Sequence, residues 1–161
     1  MKKTLFLLMA IFAFALSANS QSALRKSGLG LNVGYSGFNE NAGMGVHYRM
    51  HLAKNFRFEP SFNYYFKKDQ LSLWDLMANF HYVIPVANKI GIYPLAGIGM
   101  AQHKIPGESE LNFSMVFGGG LEVPVSSDFS LGVELKGQYI SWDVLEDNVK
   151  FVPTFKATYL F

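Results

Sequence analysis

The 161-residue chain contains no cysteine. This absence excludes disulfide scaffolds, thiolate metal sites, thiol catalysis and lipid attachment at an amino-terminal cysteine. Charged residues are also scarce, at 16%, whereas soluble domains carry about 25%. Hydrophobic residues make up 50% of the chain, too many for a disordered protein. The composition therefore favours one folded domain whose surface is not an ordinary aqueous one.

The amino terminus has the pattern of a secretory signal peptide. Lys2 and Lys3 precede an apolar run over residues 5–18 that only Ser17 interrupts. This run is shorter than the stretch of about 20 residues that a membrane-spanning helix needs. We expect cleavage after Ser20, with Ala18 as the second choice. The expected domains are a signal peptide over residues 1–20 and an exported domain over residues 21–161.

The exported domain has almost no net charge. Without Lys2 and Lys3, 12 basic residues face 12 acidic ones. A nucleic-acid-binding protein needs a cationic surface to release counterions, so nucleic acid is not an expected partner.

No later segment has 18 consecutive apolar residues, but eight segments alternate between apolar and small or polar residues. A period of two is typical of a β-strand with two different faces. The segments are residues 28–36, 43–51, 56–66, 74–82, 91–100, 113–123, 129–139 and 151–161.

The sizes of the residues on the two faces predict a membrane barrel. Phe, Tyr, Trp, Leu and Met dominate one face, and Gly, Ser, Asn and Thr dominate the other. The interior of an eight-stranded barrel is just wide enough for side chains to fill, so the bulky residues should point outward, where only lipid tolerates them. Strands of about 9–11 tilted residues span a bilayer. The fold class is thus all-β, an eight-stranded antiparallel up-and-down transmembrane β-barrel. A soluble, lipocalin-like lipid carrier is the weaker alternative.

Aromatic and proline residues refine this barrel. Two aromatic belts are expected at the two membrane interfaces. One contains Tyr35, Phe38, Phe66, Trp74, Phe113, Tyr139, Trp142 and Phe151, and the other Phe56, Tyr82, Phe129, Tyr159 and Phe161. Three prolines, Pro60, Pro94 and Pro153, lack the backbone donor that a ladder uses. We therefore expect them at bulges or strand ends.

The leader, the eight segments and the ending Thr158-Tyr159-Leu160-Phe161 resemble small outer-membrane β-barrel proteins of Gram-negative bacteria. The resembling group is the porin-family, OmpA/OmpX-type outer membrane protein β-barrel domain family. The resemblance implies localisation in the cell outer membrane, with outer-membrane lipid and lipopolysaccharide as surroundings and a monomeric state. It also implies that Phe155, Tyr159 and Phe161 form a carboxy-terminal signal for the barrel-assembly machinery. No peptidoglycan-binding domain is expected after the barrel, and the loops are short, unlike those of OmpX-type adhesins.

Eight charged residues should face the interior. They are Arg49, Arg57, Glu59, Asp75, Glu122, Glu134, Lys136 and Lys156, with four of each sign. Buried charges must be paired or lie in water, so they predict either a salt-bridged plug or a narrow polar pore, of which we favour the plug. A short turn around Lys54 should place Arg49 opposite Glu59. A turn centred near Leu145 should likewise bring Glu134 to Lys156.

Little in the sequence indicates catalysis. His47 and His51 lie about 13 Å apart on one strand face and cannot share a metal. His81 should face the interior, and His103 should lie in a loop between residues 103 and 110. Ser109 and Ser141, near the outer rim, have no base nearby in sequence. We expect no catalytic residue, no metal and no cofactor. The sequence thus favours a non-enzymatic barrel with a structural, small-pore or surface-binding role, and a lipid-modifying enzyme on the same barrel is the alternative.

The carboxy-terminal signal can be tested by mutation. Phe161→Ala, or removal of residues 159–161, should abolish accumulation in the outer membrane, because it removes an interface aromatic and the recognised strand end. Immunoblots of outer-membrane fractions, with and without heating, measure the folded population. Normal amounts of a heat-modifiable variant would contradict the prediction.

Overall fold

The computed structural model describes residues 23–68, 70–87, 90–141 and 148–161. Within these ranges a short 3-10 turn, Ala23–Arg25, precedes nine β-strands, and no helix is long and apolar enough to cross a membrane. The strands are β1 (Gly28–Ser36), β2 (Asn41–His51), β3 (Phe56–Lys68), β4 (Leu71–Tyr82), β5 (Ile84–Ala87), β6 (Ile90–Ile105), β7 (Glu108–Pro124), β8 (Phe129–Ile140) and β9 (Val149–Leu160).

The nine strands close into an antiparallel barrel with eight strand positions, which we call staves. Each strand pairs with its neighbours in sequence, β1 pairs with β9, and β4 pairs with β6. The short β5 pairs with β6 in the register that β4 already follows, so β4 and β5 form one stave interrupted at Val83. The predicted eight-stranded up-and-down barrel is confirmed.

The outward face is apolar along every strand. Leu31, Phe117 and Phe155 are 64%, 56% and 67% exposed, while their neighbours in sequence point into the barrel. A soluble barrel has the opposite arrangement, with its apolar residues inside and charge outside. The outward apolar band therefore fits a bilayer and not a soluble lipid carrier.

The β6–β7 hairpin differs from the sequence expectation. Residues 103–110 were expected to form a loop, but β6 continues to Ile105 and β7 begins at Glu108. Only Pro106 and Gly107 form the turn, and Gly107 has a φ of 86°. Proline followed by a residue of positive φ is the sequence of a type II turn, which requires glycine at the second position. β6 and β7 remain paired well beyond Ser114↔Ile140, the last β7–β8 pair, and β4 stays paired with β6 up to Ser72↔Lys104. The strands on this side of the barrel thus extend beyond β8, contrary to the short loops expected.

The three prolines lie within strands and not at their ends. Pro60 pairs with Ala78, Pro94 with Gly119 and Pro153 with Leu135, and none coincides with a register shift. The expectation of bulges or strand ends was therefore wrong. The cost appears instead in the β2–β3 ladder, where no pair forms between His47↔Ser61 and Met50↔Phe58. Pro60 lies within this gap, and its lack of an N–H to donate explains why the ladder is interrupted there.

Hydrogen bonds close the end of the barrel that carries the termini. Leu160 N–H donates to the Asp128 carbonyl at 2.8 Å, and Phe161 N–H donates to the Ser27 carbonyl at 3.0 Å. The Lys26 ammonium lies 3.0 Å from the Asp128 carboxylate. The hydrogen bond from Lys26 to Asp128, with a second from Ser127, holds the pKa of Asp128 below its usual value.

An apolar layer fills the opposite end. Tyr65, Leu73, Ala101, Ile140 and Val152 form one buried cluster, and Phe38 packs against it. Phe38 was expected in the outward aromatic belt of this rim, but its ring packs against the buried cluster instead. The centroid of this ring lies 6.3 Å from that of the His103 ring. His103 itself is on β6 and is buried. Trp142, the belt residue in the last turn, lies outside the described residues.

The orientation in the membrane can be tested because the chain has no cysteine of its own. We expect the termini and the turn at residues 52–55 on the periplasmic side, because outer-membrane barrels keep their short turns there. On intact cells, a membrane-impermeant maleimide should label Glu40→Cys, which lies at the opposite end, but not Lys54→Cys. Lys54→Cys should react after the outer membrane is permeabilised. Labelling of Lys54→Cys alone on intact cells would reverse the orientation.

Candidate functional site

The eight charged residues expected inside the barrel all lie there. Each is between 1% and 7% exposed. They come from β2, β3, β4, β7, β8 and β9, and each is at an inward position of its strand because neighbouring residues alternate between the two faces. The barrel interior is therefore the candidate site.

Seven of these residues form a continuous chain of alternating charge. Arg57 Nη1 lies 2.9 Å from Glu122 Oε2, and Arg49 Nη2 lies 2.9 Å from the same oxygen. Arg49 Nε also lies 3.3 Å from Glu59 Oε2. Both carboxylates in this part of the ion-pair chain, those of Glu122 and Glu59, thus contact a cation, as burial requires.

The chain continues through two lysines. Lys156 binds Glu59, and its Nζ also lies 2.8 Å from Glu134 Oε1. Lys136 Nζ lies 3.5 Å from Glu134 Oε2. Glu59 and Glu134 are therefore both held by Lys156, and the chain of charges ends at Lys136.

This chain of ion pairs crosses the lumen. Around the barrel, β2 and β7 are four strands apart in either direction, which is the largest separation that eight staves allow. The contact between Arg49 on β2 and Glu122 on β7 therefore joins opposite walls. Lys156 on β9 reaches Glu59 on β3, three strands away around the barrel.

The two registers expected from the sequence have different outcomes. β2 and β3 follow the register that sets Arg49 opposite Glu59. β8 and β9 are shifted by two residues from the expected register, so that Glu134 pairs with Thr154 and Lys156 with Gly132. The shift keeps both side chains on the inner face, and the lysine reaches Glu134 diagonally, as long side chains can.

Tyr93 and His81 belong to the network, although sequence reasoning did not single out Tyr93. The Tyr93 hydroxyl donates to Glu134 Oε1 at 3.0 Å, and its ring stacks on that of His81 with centroids 4.8 Å apart. Arg57 lies over the same ring, 4.7 Å from its centroid, and Arg57 Nε donates to His81 Nδ1 at 3.1 Å. Gly120 is opposite Tyr93, and a Cβ there would lie 2.5 Å from the ring. A glycine opposite an inward position is thus the one sequence signal for so large a ring.

Asp75 lies in a separate layer of amides. Asn63 Nδ2 donates to Asp75 Oδ1 at 2.8 Å, and Gln138 Nε2 lies 3.3 Å from Oδ2. Asn32 Nδ2 donates to Asn63 at 3.0 Å and extends this layer toward His47. Within the described ranges, the Asp75 charge is therefore stabilised by neutral donors and not by a direct ion pair.

One cluster in the described part of the chain has metal-ligand chemistry. Ligand atoms of Glu59, His81 and Glu134 lie within 4.8 Å of one another. Lys156 binds both carboxylates of this cluster. The ammonium thus supplies the positive charge that a metal would bring, and the cluster is part of the salt-bridge network. His47 contacts Asn32 and Thr158 at 2.6 and 2.9 Å and lies with the polar interior.

The two serines near the outer rim contact no base in the hydrogen bonds among the described residues. Ser109 accepts a hydrogen bond from Gln102 at 2.9 Å, and the Ser141 hydroxyl donates to the Phe113 carbonyl at 3.2 Å. Neither hydroxyl is arranged as a nucleophile, which would need a neighbouring base.

The aromatic residues of the last strand face outward. Phe155, Tyr159 and Phe161 are 67%, 57% and 59% exposed. The Tyr159 and Phe161 rings lie 6.5 Å apart, and the Phe161 ring lies 6.3 Å from that of Tyr48 on β2. These residues form one exposed aromatic group at the rim, and their role in assembly stays a prediction.

Several solved β-barrel structures share this fold. The amino-terminal β-barrel domain of OprF from Pseudomonas aeruginosa has 18% identity and a TM-score of 0.60, covering 85% of this chain and 98% of that one. Neisserial surface protein A has 14% identity and a TM-score of 0.62, covering 84% and 95%. Ail from Yersinia pestis has 20% identity and a TM-score of 0.50, covering 84% and 98%. At these identities the similarity shows the fold alone.

A search of curated proteins by sequence finds no match. The outer membrane protein beta-barrel domain family, in contrast, matches residues 6–157, nearly the whole chain. The chain therefore belongs to the outer membrane protein beta-barrel domain family and is a protein of the outer membrane.

Proposed function

We propose that the protein is a non-enzymatic outer-membrane barrel with a closed interior and a structural role in the membrane. The observation that carries the proposal is the ion pair between Arg49 and Glu122, which joins opposite walls of the barrel. A continuous water-filled path would have to pass this contact. The network therefore acts as a plug and not as the lining of a pore.

Further layers along the axis support a closed interior. The apolar cluster around Tyr65 and Leu73 fills the end opposite the termini. The amides around Asp75 follow, and the charge network comes next. At the end with the termini, Leu24 and Leu160 are 3% and 1% exposed. An ion would have to cross the apolar cluster as well as the paired charges.

The apolar cluster also argues against conduction on electrostatic grounds. Moving an ion into an apolar layer without a partner costs several kcal/mol or more. Within the network, an ion would have to displace a charge already paired, such as Lys156 between Glu59 and Glu134. Selective pores, in contrast, line their constriction with charges of one sign or with free carbonyl groups.

Among the described residues, the hydrogen-bond partners of Ser109 and Ser141 are an amide and a backbone carbonyl and not a base, which supports a non-enzymatic role. The alternative is a lipid-modifying enzyme on the same barrel. Incubating the refolded protein with lipopolysaccharide and analysing the acyl chains by mass spectrometry distinguishes the two. Release of a defined acyl chain that depends on the folded protein would favour the enzyme.

The surroundings proposed for the barrel follow from its outer face. The apolar band contacts outer-membrane lipid and lipopolysaccharide, and the barrel-assembly machinery reads the aromatic group of β9. We also infer that the barrel is a monomer, since the closed sheet has no free edge to pair with a second copy.

The plug predicts that the refolded protein does not conduct. In planar bilayers the wild-type barrel should show no single-channel steps. The double variant Arg49→Ser, Glu122→Ser removes the contact across the lumen without changing the net charge, and it should increase the leak. Uniform conductance steps from the wild-type barrel, lost when the sample is heat-denatured, would rule out the closed interior.

The plug also predicts a strong effect of removing one of its charges. Glu59→Gln takes from Arg49 and from Lys156 one of the two carboxylates that each contacts, so the buried network is left with one more uncompensated positive charge. The substitution should destabilise the barrel by about 3–5 kcal/mol, or less where water enters. Glu40→Gln is the matched control, because Glu40 is exposed and pairs with Lys68 at 3.1 Å. Its effect should lie within about 1 kcal/mol. Urea unfolding in lipid vesicles measures both, and equal midpoints would contradict the prediction.

A further inference from the structure

Outside the barrel interior, the sequence segments at the end that carries the termini contain several basic residues but few acidic ones. The sequence segments at this end contain Arg25, Lys26, Lys54 and Lys89 against one acidic side chain, Asp128. Lys26 binds Asp128 and neutralises it. Lys89 lies outside the described residues. Among the described residues, Arg25 and Lys54 thus remain as cations that form no salt bridge with an acidic side chain.

Arg25 and Lys54 line one cleft. Its other walls are Leu24, Asn55, Val83 and Pro85, and its volume is about 50 Å³. This space holds a few water molecules, which is also the size of one tetrahedral oxyanion. Both cations are exposed, and among the described residues neither forms a salt bridge. The cleft therefore combines room for an anion with two free positive charges.

The cleft borders the lipid-facing surface. Val83 N–H donates to the Asn55 carbonyl at 2.7 Å, and Asn55 Nδ2 lies 3.3 Å from the Tyr82 hydroxyl. Tyr82 is 40% exposed on the outward face, and its ring packs edge-on against Phe56 with centroids 5.0 Å apart. Tyrosines in this position mark the level of the lipid headgroups. Arg25 and Lys54 therefore lie at the height where lipid phosphates lie.

We propose that this cleft binds the phosphate group of an anionic phospholipid in the adjacent leaflet. Arg25 and Lys54 supply the charge, and the Asn55 amide lies beside them as a donor. The acyl chains lie along the outward rings of Phe56, Phe80 and Tyr82. A phosphodiester fits this arrangement because it carries a fixed charge and several acceptor oxygens.

The test measures which lipid the full-length barrel retains. The refolded protein is held in detergent micelles with equal amounts of phosphatidylglycerol and phosphatidylcholine, and native mass spectrometry counts the bound lipids. The wild-type barrel should retain phosphatidylglycerol preferentially. The variant Arg25→Gln, Lys54→Gln should lose about 30-fold in apparent affinity, the sum of two basic residues near a lipid surface.

The matched control makes the same change of charge at the other end. Lys67→Gln, Lys104→Gln removes two exposed lysines that line a cleft near the opposite rim, and retention of phosphatidylglycerol should not change. An equal loss in both double variants would show that the attraction is nonspecific and would overturn the site. If the first double variant does not fold, Arg25→Gln and Lys54→Gln are measured singly, each with an expected loss of about fivefold.

Competition identifies the source of the phosphate. Short-chain phosphatidylglycerol should displace the retained lipid, whereas inorganic phosphate at the same concentration should not. Equal displacement by inorganic phosphate would assign the cleft to a free anion and overturn the lipid proposal. Binding of isolated peptidoglycan that depends on Arg25 and Lys54, without any lipid preference, would overturn it as well. The conductance of the barrel is independent of each of these outcomes, so this site and the closed interior fail separately.

Discussion

The structure depends on one constraint, that every backbone polar group inside the bilayer is paired within the sheet. Hydrocarbon offers no water to replace a missing partner, so an extended chain can cross it only as a closed barrel. Here the ladder between β4 and β6, from Ser72↔Lys104 to His81↔Leu95, completes the closure. Closure with eight staves then fixes the width of the lumen, and the inward side chains must fill it and satisfy one another. The alternation of size and polarity along the sequence follows from this requirement.

The ion pairs matter most where the backbone ladder fails. Pro60 has no N–H, and the β2–β3 ladder has no pair between His47↔Ser61 and Met50↔Phe58. Arg49 on β2 and Glu59 on the neighbouring β3 lie within this gap. Arg49 Nε is 3.3 Å from Glu59 Oε2. A buried ion pair is weak support for stability compared with an apolar pair of the same size, but it can specify one register over another. At this gap the ion pair holds the two strands in register at the point where the backbone does not.

The sequence predicts a contact well when a short turn fixes the register. Arg49 and Glu59 flank the turn at residues 52–55, and their register follows from its length. Glu134 and Lys156 flank a longer turn, and their register was expected two residues away from the observed one. The contact between Arg49 and Glu122 could not be predicted, because it depends on the stagger of all eight staves, to which no local pattern responds. The Pro106-Gly107 turn, in contrast, has the residue types of a two-residue turn. Polar and charged residues on both sides of it interrupt the alternation with apolar residues, so a loop over residues 103–110 was expected instead.

A filled interior leaves the two ends and the outer face as the surfaces that can bind other molecules. The two kinds of charge differ in what holds them in place. Glu59 and Lys156 are fixed by each other inside the barrel, so a change in either acts on folding. Arg25 and Lys54 are exposed beyond the lipid-facing rings of Phe56 and Tyr82, and no carboxylate among the described residues holds them. Their place relative to the membrane is set by the aromatic boundary and not by an ion pair. Exposed charges such as those of Arg25 and Lys54 stabilise the folded protein little. Their effect is therefore expected on the binding of the adjacent lipid.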